Sequence, residues 1–171
     1  MSLYDPSGNR WAASASKDRQ PTGIDFGSCY DSKRDRIYVC GGSYRGPYAP
    51  DEGKVYVYDV KSDSWSNPPD RGDVPPVFAT NYACVHYDTA SDRVLCVVYG
   101  ARKTGVFVFD PATSVWAERP LPFPAKGPDV SRSWNGFYSP ELNAHFFHVA
   151  GDSRKDGTVW VYRYRRAPAK K

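Results

Sequence analysis

Seven residues in this sequence combine positive charge and aromatic character at matching places: Tyr44, Arg45, Tyr48, Arg102, Lys103, Arg154 and Lys155. Arg102 and Lys103 come just after Gly100, Arg154 and Lys155 come just after Gly151, and Arg45 comes just after Gly41 and Gly42. A guanidinium offers paired donors in a fixed fork, so a ring of such groups with tyrosines beside them suits carboxylates or phosphates. Asp51, Glu52, Asp152 and Asp156 nearly balance the charge locally, which is also the pattern of ordinary solvated loop tips.

Other chemistries find less material. Cys29 with Cys40, and Cys84 with Cys96, each bracket a turn, but no Cys-x2-Cys spacing marks a zinc site. Without a secretory leader these read as small apolar thiols inside strands. His145 and His148 are three apart in an apolar run and fall on opposite faces of a strand, and His86 stands alone before Tyr87, so all three read as structural. No metal site, cofactor, nucleophile elbow, Ser-His-Asp order or phosphate loop is found, and the chain reads as a binder rather than an enzyme.

The elements that would position these residues follow from composition and period. The chain has 171 residues, 40% of them hydrophobic and 15% aromatic, enough to bury a core. Gly 14 and Pro 15 favour short strands and turns over helices. No run approaches ~20 apolar residues, so no membrane-spanning helix is expected, and the start Met1-Ser2-Leu3-Tyr4-Asp5-Pro6 has no signal-peptide pattern, which predicts a cytoplasmic location. The formal net charge of +4 is carried by Arg163, Arg165, Arg166, Lys170 and Lys171 at the C-terminal end. The remaining body is slightly acidic, which argues against nucleic acid as a partner.

Three segments end alike: Tyr4-Asp5, Tyr58-Asp59 and Phe109-Asp110 are each followed, after five residues, by Trp11, Trp65 and Trp116. Alternating runs such as Val55-Tyr-Val-Tyr58, Val106-Phe-Val-Phe109 and Val159-Trp-Val-Tyr162 have the period of two that marks strands. Earlier in each unit an apolar strand runs into glycine: Ile37-Tyr-Val-Cys40 into Gly41-Gly42, Val94 to Tyr99 into Gly100, and Phe146 to Ala150 into Gly151. Before these come Cys29-Tyr30-Asp31, His86-Tyr87-Asp88 and Phe137-Tyr138-Ser139. Asp31 and Asp88 open polar turns, where a carboxylate accepts downstream backbone N–H groups. Each unit is therefore strand a, tight turn, strand b ending in glycine, loop, strand c, turn, and a strand d that begins at Trp.

This order resembles the kelch repeat, a four-stranded propeller blade of about 50 residues. The resemblance implies an all-β chain of three kelch-like four-stranded blades, at residues 27–67, 81–117 and 134–164, with an N-terminal outer strand within residues 1–16 and a basic tail at 165–171. Only the first blade keeps a double glycine. Trp11, Trp65, Trp116 and Trp160 are expected between blades, filling space where sheets pack face to face. Propellers close with four or more blades, and the third unit here has no Trp-led strand d, whereas residues 10–16 supply an orphan one. The ring is then completed by missing sequence, if the chain is a fragment, or by a homodimer of six blades in which that strand is exchanged. The resemblance implies protein or peptide recognition, with an acidic peptide as complement, through the b–c and d–a loops that carry Tyr44, Arg45, Tyr48, Arg102, Lys103, Arg154 and Lys155. The alternative is a carbohydrate-binding or carbohydrate-acting propeller, of sugar isomerase or oxidase type, in which Tyr44 and Tyr48 stack on sugars. Three scattered histidines and the lack of a Glu-x3-Asp-x3-His spacing supply neither the copper nor the iron set of kelch-like enzymes.

Overall fold

Alternating apolar residues separated by Asp-rich turns build thirteen strands and no helix among the described residues. The computed structural model describes residues 2–18, 24–43, 55–69, 71–75, 82–99, 105–119, 135–150 and 157–164. Strands β1 (Ser2–Asp5) and β2 (Arg10–Ala13) form a hairpin; β3 (Ile24–Asp31), β4 (Arg36–Ser43), β5 (Tyr56–Asp59) and β6 (Ser64–Ser66) form a first four-stranded sheet. A second is made of β7 (Tyr82–Asp88), β8 (Arg93–Tyr99), β9 (Gly105–Asp110) and β10 (Val115–Arg119), and a third of β11 (Asn135–Ser139), β12 (Ala144–Ala150) and β13 (Gly157–Tyr162). Every sheet runs in chain order and these strands all pair antiparallel. These are all-strand, blade-like sheets without barrel closure.

One turn is used six times among the described residues. Its first residue accepts from backbone N–H groups: Asp5 from Ser7 and Gly8, Asp31 from Lys33 and Arg34, Asp59 from Ser62, Asp88 from Ser91, Asp110 from Ala112, and Ser139 from Leu142. Its last residue adopts left-handed backbone, at Asn9, Asp35, Asp63, Asp92, Ser114 and Asn143, with φ between 45° and 58°. Asn and Asp tolerate that region better than most residues. In five of the six turns a tyrosine hydroxyl five residues earlier donates to that last side chain, at 2.7 Å for Tyr4 and Asn9 and 2.6 Å for Tyr58 and Asp63. The sixth has Phe109 and no hydroxyl to donate.

The N-terminal segment differs from the single strand expected over 10–16. Arg10–Ala13 pairs with Ser2–Asp5, with Tyr4 opposite Trp11, so a c-like strand precedes the d-like one. The strand stops at Ala13 because the chain then turns to the first sheet. There Ser14 Oγ and Ala15 N–H both donate to the Asp63 carboxylate, and Trp65 N–H donates to Asp18 at 3.0 Å. The same strut recurs one sheet later. Trp116 N–H donates to the Arg71 carbonyl, Asp73 N–H to the Trp116 carbonyl, and Glu118 N–H to the Asp73 carboxylate. Gly72 sits within this strut at φ 75°, and a Cβ there would collide with the Trp116 carbonyl. Only glycine fits both constraints.

Two apolar seams hold the sheets face to face. In the first, Tyr38, Cys40, Val55 and Val57 of the first sheet meet Val85, Tyr87, Val94, Cys96, Phe107, Phe109 and Trp116 of the second. In the second, Cys84, Leu95, Val97, Val106 and Val108 meet Phe147, with Trp160, Tyr162 and Tyr164 packed against them. Strand alternation dictates this division, because odd and even residues of one strand point to opposite faces. The tryptophans do not share one fate. Trp116 is 3% exposed and rests on Phe109, and Trp160 packs in the second seam, as expected. Trp65 packs tilted against Tyr58 and is partly covered. Trp11 is 71% exposed and touches Tyr4, since no sheet among the described residues lies against its face.

Trp116→Ala is therefore expected to cost about 3–5 kcal/mol in a denaturant titration, the range for emptying a packed core site. Trp11→Ala is expected to stay within about 0.5 kcal/mol of the parent chain, as exposed substitutions do.

Candidate functional site

Antiparallel order sends the ends of β4, β8 and β12 to one edge of the sheets, and β5, β9 and β13 re-enter from the same edge. The opposite edge carries the tight turns. The connections between these strand ends contain Tyr44, Arg45, Tyr48, Arg102, Lys103, Arg154 and Lys155, and all seven lie outside the described residues. The frame that would position them is described; their side chains are not. The glycines that follow the b strands also fall outside, or have only their backbone described.

On the turn edge the first and second sheets are clamped by charge. Arg34 donates to Asp31 at 2.8 Å and reaches across to Asp92 with both terminal nitrogens, at 2.6 and 2.8 Å. Lys33 Nζ joins Asp92 at 2.6 Å and the Tyr87 hydroxyl donates to the same carboxylate. The Asp31 side chain is fully buried, whereas Lys33 is mostly exposed. Hydrogen bonding to Arg34 is the largest influence on Asp92 and holds its carboxyl well below the usual range. The cluster has two cations and two anions, so it neutralises itself and offers no net charge to a ligand.

Within the second seam lies a buried polar chain that sequence reading did not assemble. Cys84 Sγ is 3.3 Å from His86 Nε2, His86 Nδ1 is 3.3 Å from His145 Nδ1, and His145 Nε2 is 3.4 Å from Asp88 Oδ2. Asp88 also accepts from Ser91 N–H. His86 is 6% exposed and His145 fully buried; the two ring planes lie within 3° of parallel and meet edge to edge at their Nδ1 atoms, with centroids 5.5 Å apart, and His86 also stacks on Phe147. Burial first, and then the neighbouring His145, push the His86 ring down to about 4, against a backbone hydrogen bond with Gly136. Burial would raise Asp88, but hydrogen bonds from His145 and Ser91 outweigh it and bring the carboxyl to about 2. The expectation of structural histidines fits this burial, and His148 points to the other face of β12. A signal was legible: Cys84, His86 and Asp88 alternate and so share one face of β7. What they meet on β12 was not.

All four cysteines are free thiols. The pairs that bracket each hairpin are out of register, since Cys29 lies opposite Tyr38 and Cys84 opposite Val97. Cys40 and Cys96 meet instead across the first seam, where hydrogen bonding to Cys40 and burial raise the Cys96 thiol. Burial raises Cys29 and Cys84 as well, the state of unreactive thiols. Among the described residues no group of three or more His, Cys, Asp or Glu is placed to hold a metal ion.

Comparison with known proteins agrees with this architecture. Residues 29–72, covering most of the first sheet and its exit strut, match the kelch motif. The mouse (Mus musculus) Kelch-like protein 35 is 29% identical over 129 residues, covering 75% of this chain and 20% of that protein. The chain thus spans about a fifth of the length of this curated relative. A copper-bound fungal alcohol oxidase of the AA5 family superposes with a TM-score of 0.52 over 95% of this chain and 34% of its own, at 17% identity. At that identity the likeness is one of fold alone.

Removing the clamp leaves the buried Asp31 carboxylate without its cation, so Arg34→Ala is expected to cost about 3 kcal/mol. Because Asp92 is held below its unfolded value, the difference between parent and variant is expected to stay constant down to about pH 4 and to shrink below it. Paired thermal melts across that range check both statements.

Proposed function

We propose, from the premise that this chain belongs to the kelch-repeat β-propeller family, that it serves as a protein-interaction scaffold whose partner docks on the edge opposite the tight turns. One observation carries this reading. Three successive sheets deliver their b–c connections to the same edge, through β4 and β5, β8 and β9, and β12 and β13. Loops held by such a rigid frame are where recognition tends to reside. Arg45, Arg102, Lys103, Arg154 and Lys155, with Tyr44 and Tyr48, give that edge paired donors and stacking faces, and an acidic peptide segment is the complementary partner. The turn edge is a poorer candidate, since Lys33 and Arg34 there are spent on Asp31 and Asp92.

Completion of the ring belongs to the same reading. β13 has no further strand beyond it among the described residues, and β1 with β2 forms half a sheet. A second copy of the chain, or adjoining sequence, supplies the remaining strands, and two copies give an interface of the closed two-fold kind. Because β2 already pairs with β1, the exchanged element in a homodimer is the hairpin rather than a lone strand.

The triple substitution of Arg45, Arg102 and Arg154 to Ala is expected to abolish capture of acidic peptides on an array while leaving the thermal melt unchanged. Retained capture, or selective binding to a glycan array instead, overturns the assignment. Light scattering is expected to give twice the 19.2 kDa chain mass if copies complete one another, and the chain mass if they do not.

A further inference from the structure

We infer that the seam between the second and third sheets is a pH-responsive joint, closed by one proton shared between His86 and His145 and loosened when both rings become cationic. The two Nδ1 atoms face each other at 3.3 Å. A single N–H fits between nitrogens that close, one ring donating and the other accepting. Two do not, because the hydrogens would meet head-on and the two positive rings would repel. The packed pair therefore binds one proton fewer than the same two rings do after the sheets part.

The surroundings leave no way to absorb the second proton. From β7, Cys84 and Asp88 face the pair; from β11, Tyr138 and the backbone of Gly136; from β12, Phe147; and from β13, Tyr162. Asp88 is the one anion among these groups and balances one cation, through His145 Nε2. The phenols of Tyr138 and Tyr162 are neutral over the relevant range, and burial keeps the Cys84 thiol protonated, its pKa raised to about 12. The β11 backbone lies close on this side of the pair: a Cβ on Gly136 would lie 2.9 Å from Cys84 Sγ and 3.0 Å from His86 Cε1.

The direction of the effect follows. His86 is held below its unfolded value, so the parted sheets bind more protons than the closed seam at pH below about 6.5. Seam stability is fully present above that value and is lost as pH falls towards 4. Asp88, already depressed, contributes its own loss only at lower pH, below the ordinary carboxylate range. The first seam has no histidine, so it provides an internal control.

Hydrogen exchange at pH 7.5 and pH 5.0, corrected for the intrinsic rate, tests the inference on the intact chain. Amides of β11 and β12 are expected to lose protection by about tenfold or more at the lower pH, while those of β3 and β4 hold theirs. His86→Gln, which keeps polar atoms but cannot become cationic, is expected to remove that loss. If this variant does not fold, the imidazole nitrogen signals of the parent chain decide the matter by NMR. His86 is expected to remain neutral at pH 5.5 with the seam intact. Independent titration of both rings near pH 6.5, or equal protection of the two seams at both pH values, overturns the inference.

Discussion

The apolar contacts between the sheets pass through side chains that alternate along strands, and this alternation tolerates no slip of one residue. On β8, Val94 and Cys96 enter the first seam while Leu95 and Val97 enter the second. On β9, Phe107 and Phe109 face one way and Val106 and Val108 the other. The second sheet is buried on both faces and so reads as a nearly continuous apolar run. Shifting any of its strands by one position would exchange the contents of both seams, placing phenylalanines where valines fit. Cores packed at crystal-like density have no space for that exchange.

Around this constraint the chain reuses two local devices. The tight turn, tyrosine-capped in five of its six uses among the described residues, fixes where the a–b and c–d hairpins reverse, and a strut after an outer strand ties onto the next sheet, at Asp18 for the first sheet and Asp73 for the second. Since the devices repeat, differences between the seams stand out. His86 takes the place in β7 that Cys29 takes in β3, and His145 takes the place in β12 that Val94 takes in β8. The first seam is lined by apolar side chains, and its charges gather at the turn edge on Arg34, Asp92 and the buried Asp31. The second carries a polar chain through its interior, tolerated because each member has a partner.

Much of the frame could be read from residue order. Asp31 and Asp88 do open their turns, the alternating runs at 106–109 and 159–162 do lie on c strands, and the run at 55–58 does so from Tyr56 onward. The tyrosine link across each turn was also there to be read, as an Asp or Asn five residues after Tyr4, Tyr30, Tyr58, Tyr87 and Tyr138. Tryptophan spacing does not reveal it. Trp11 has the right spacing too, but burial needs a neighbouring sheet and spacing cannot provide one. The loop residues proposed for recognition sit between described strand ends, so their reading still rests on sequence and on the edge from which those strands emerge.

Residue order by itself determined the class of the fold, the strand period, the sites of reversal and the face of each strand on which a residue falls, because these depend on neighbours within a few positions. Which face meets which sheet was decided only in three dimensions. His86 and His145, Arg34 and Asp92, and Cys40 and Cys96 come from segments far apart in the chain. Their meeting depends on how loops close and on how side-chain volumes fill the space between two sheets, and a period of two is silent on both.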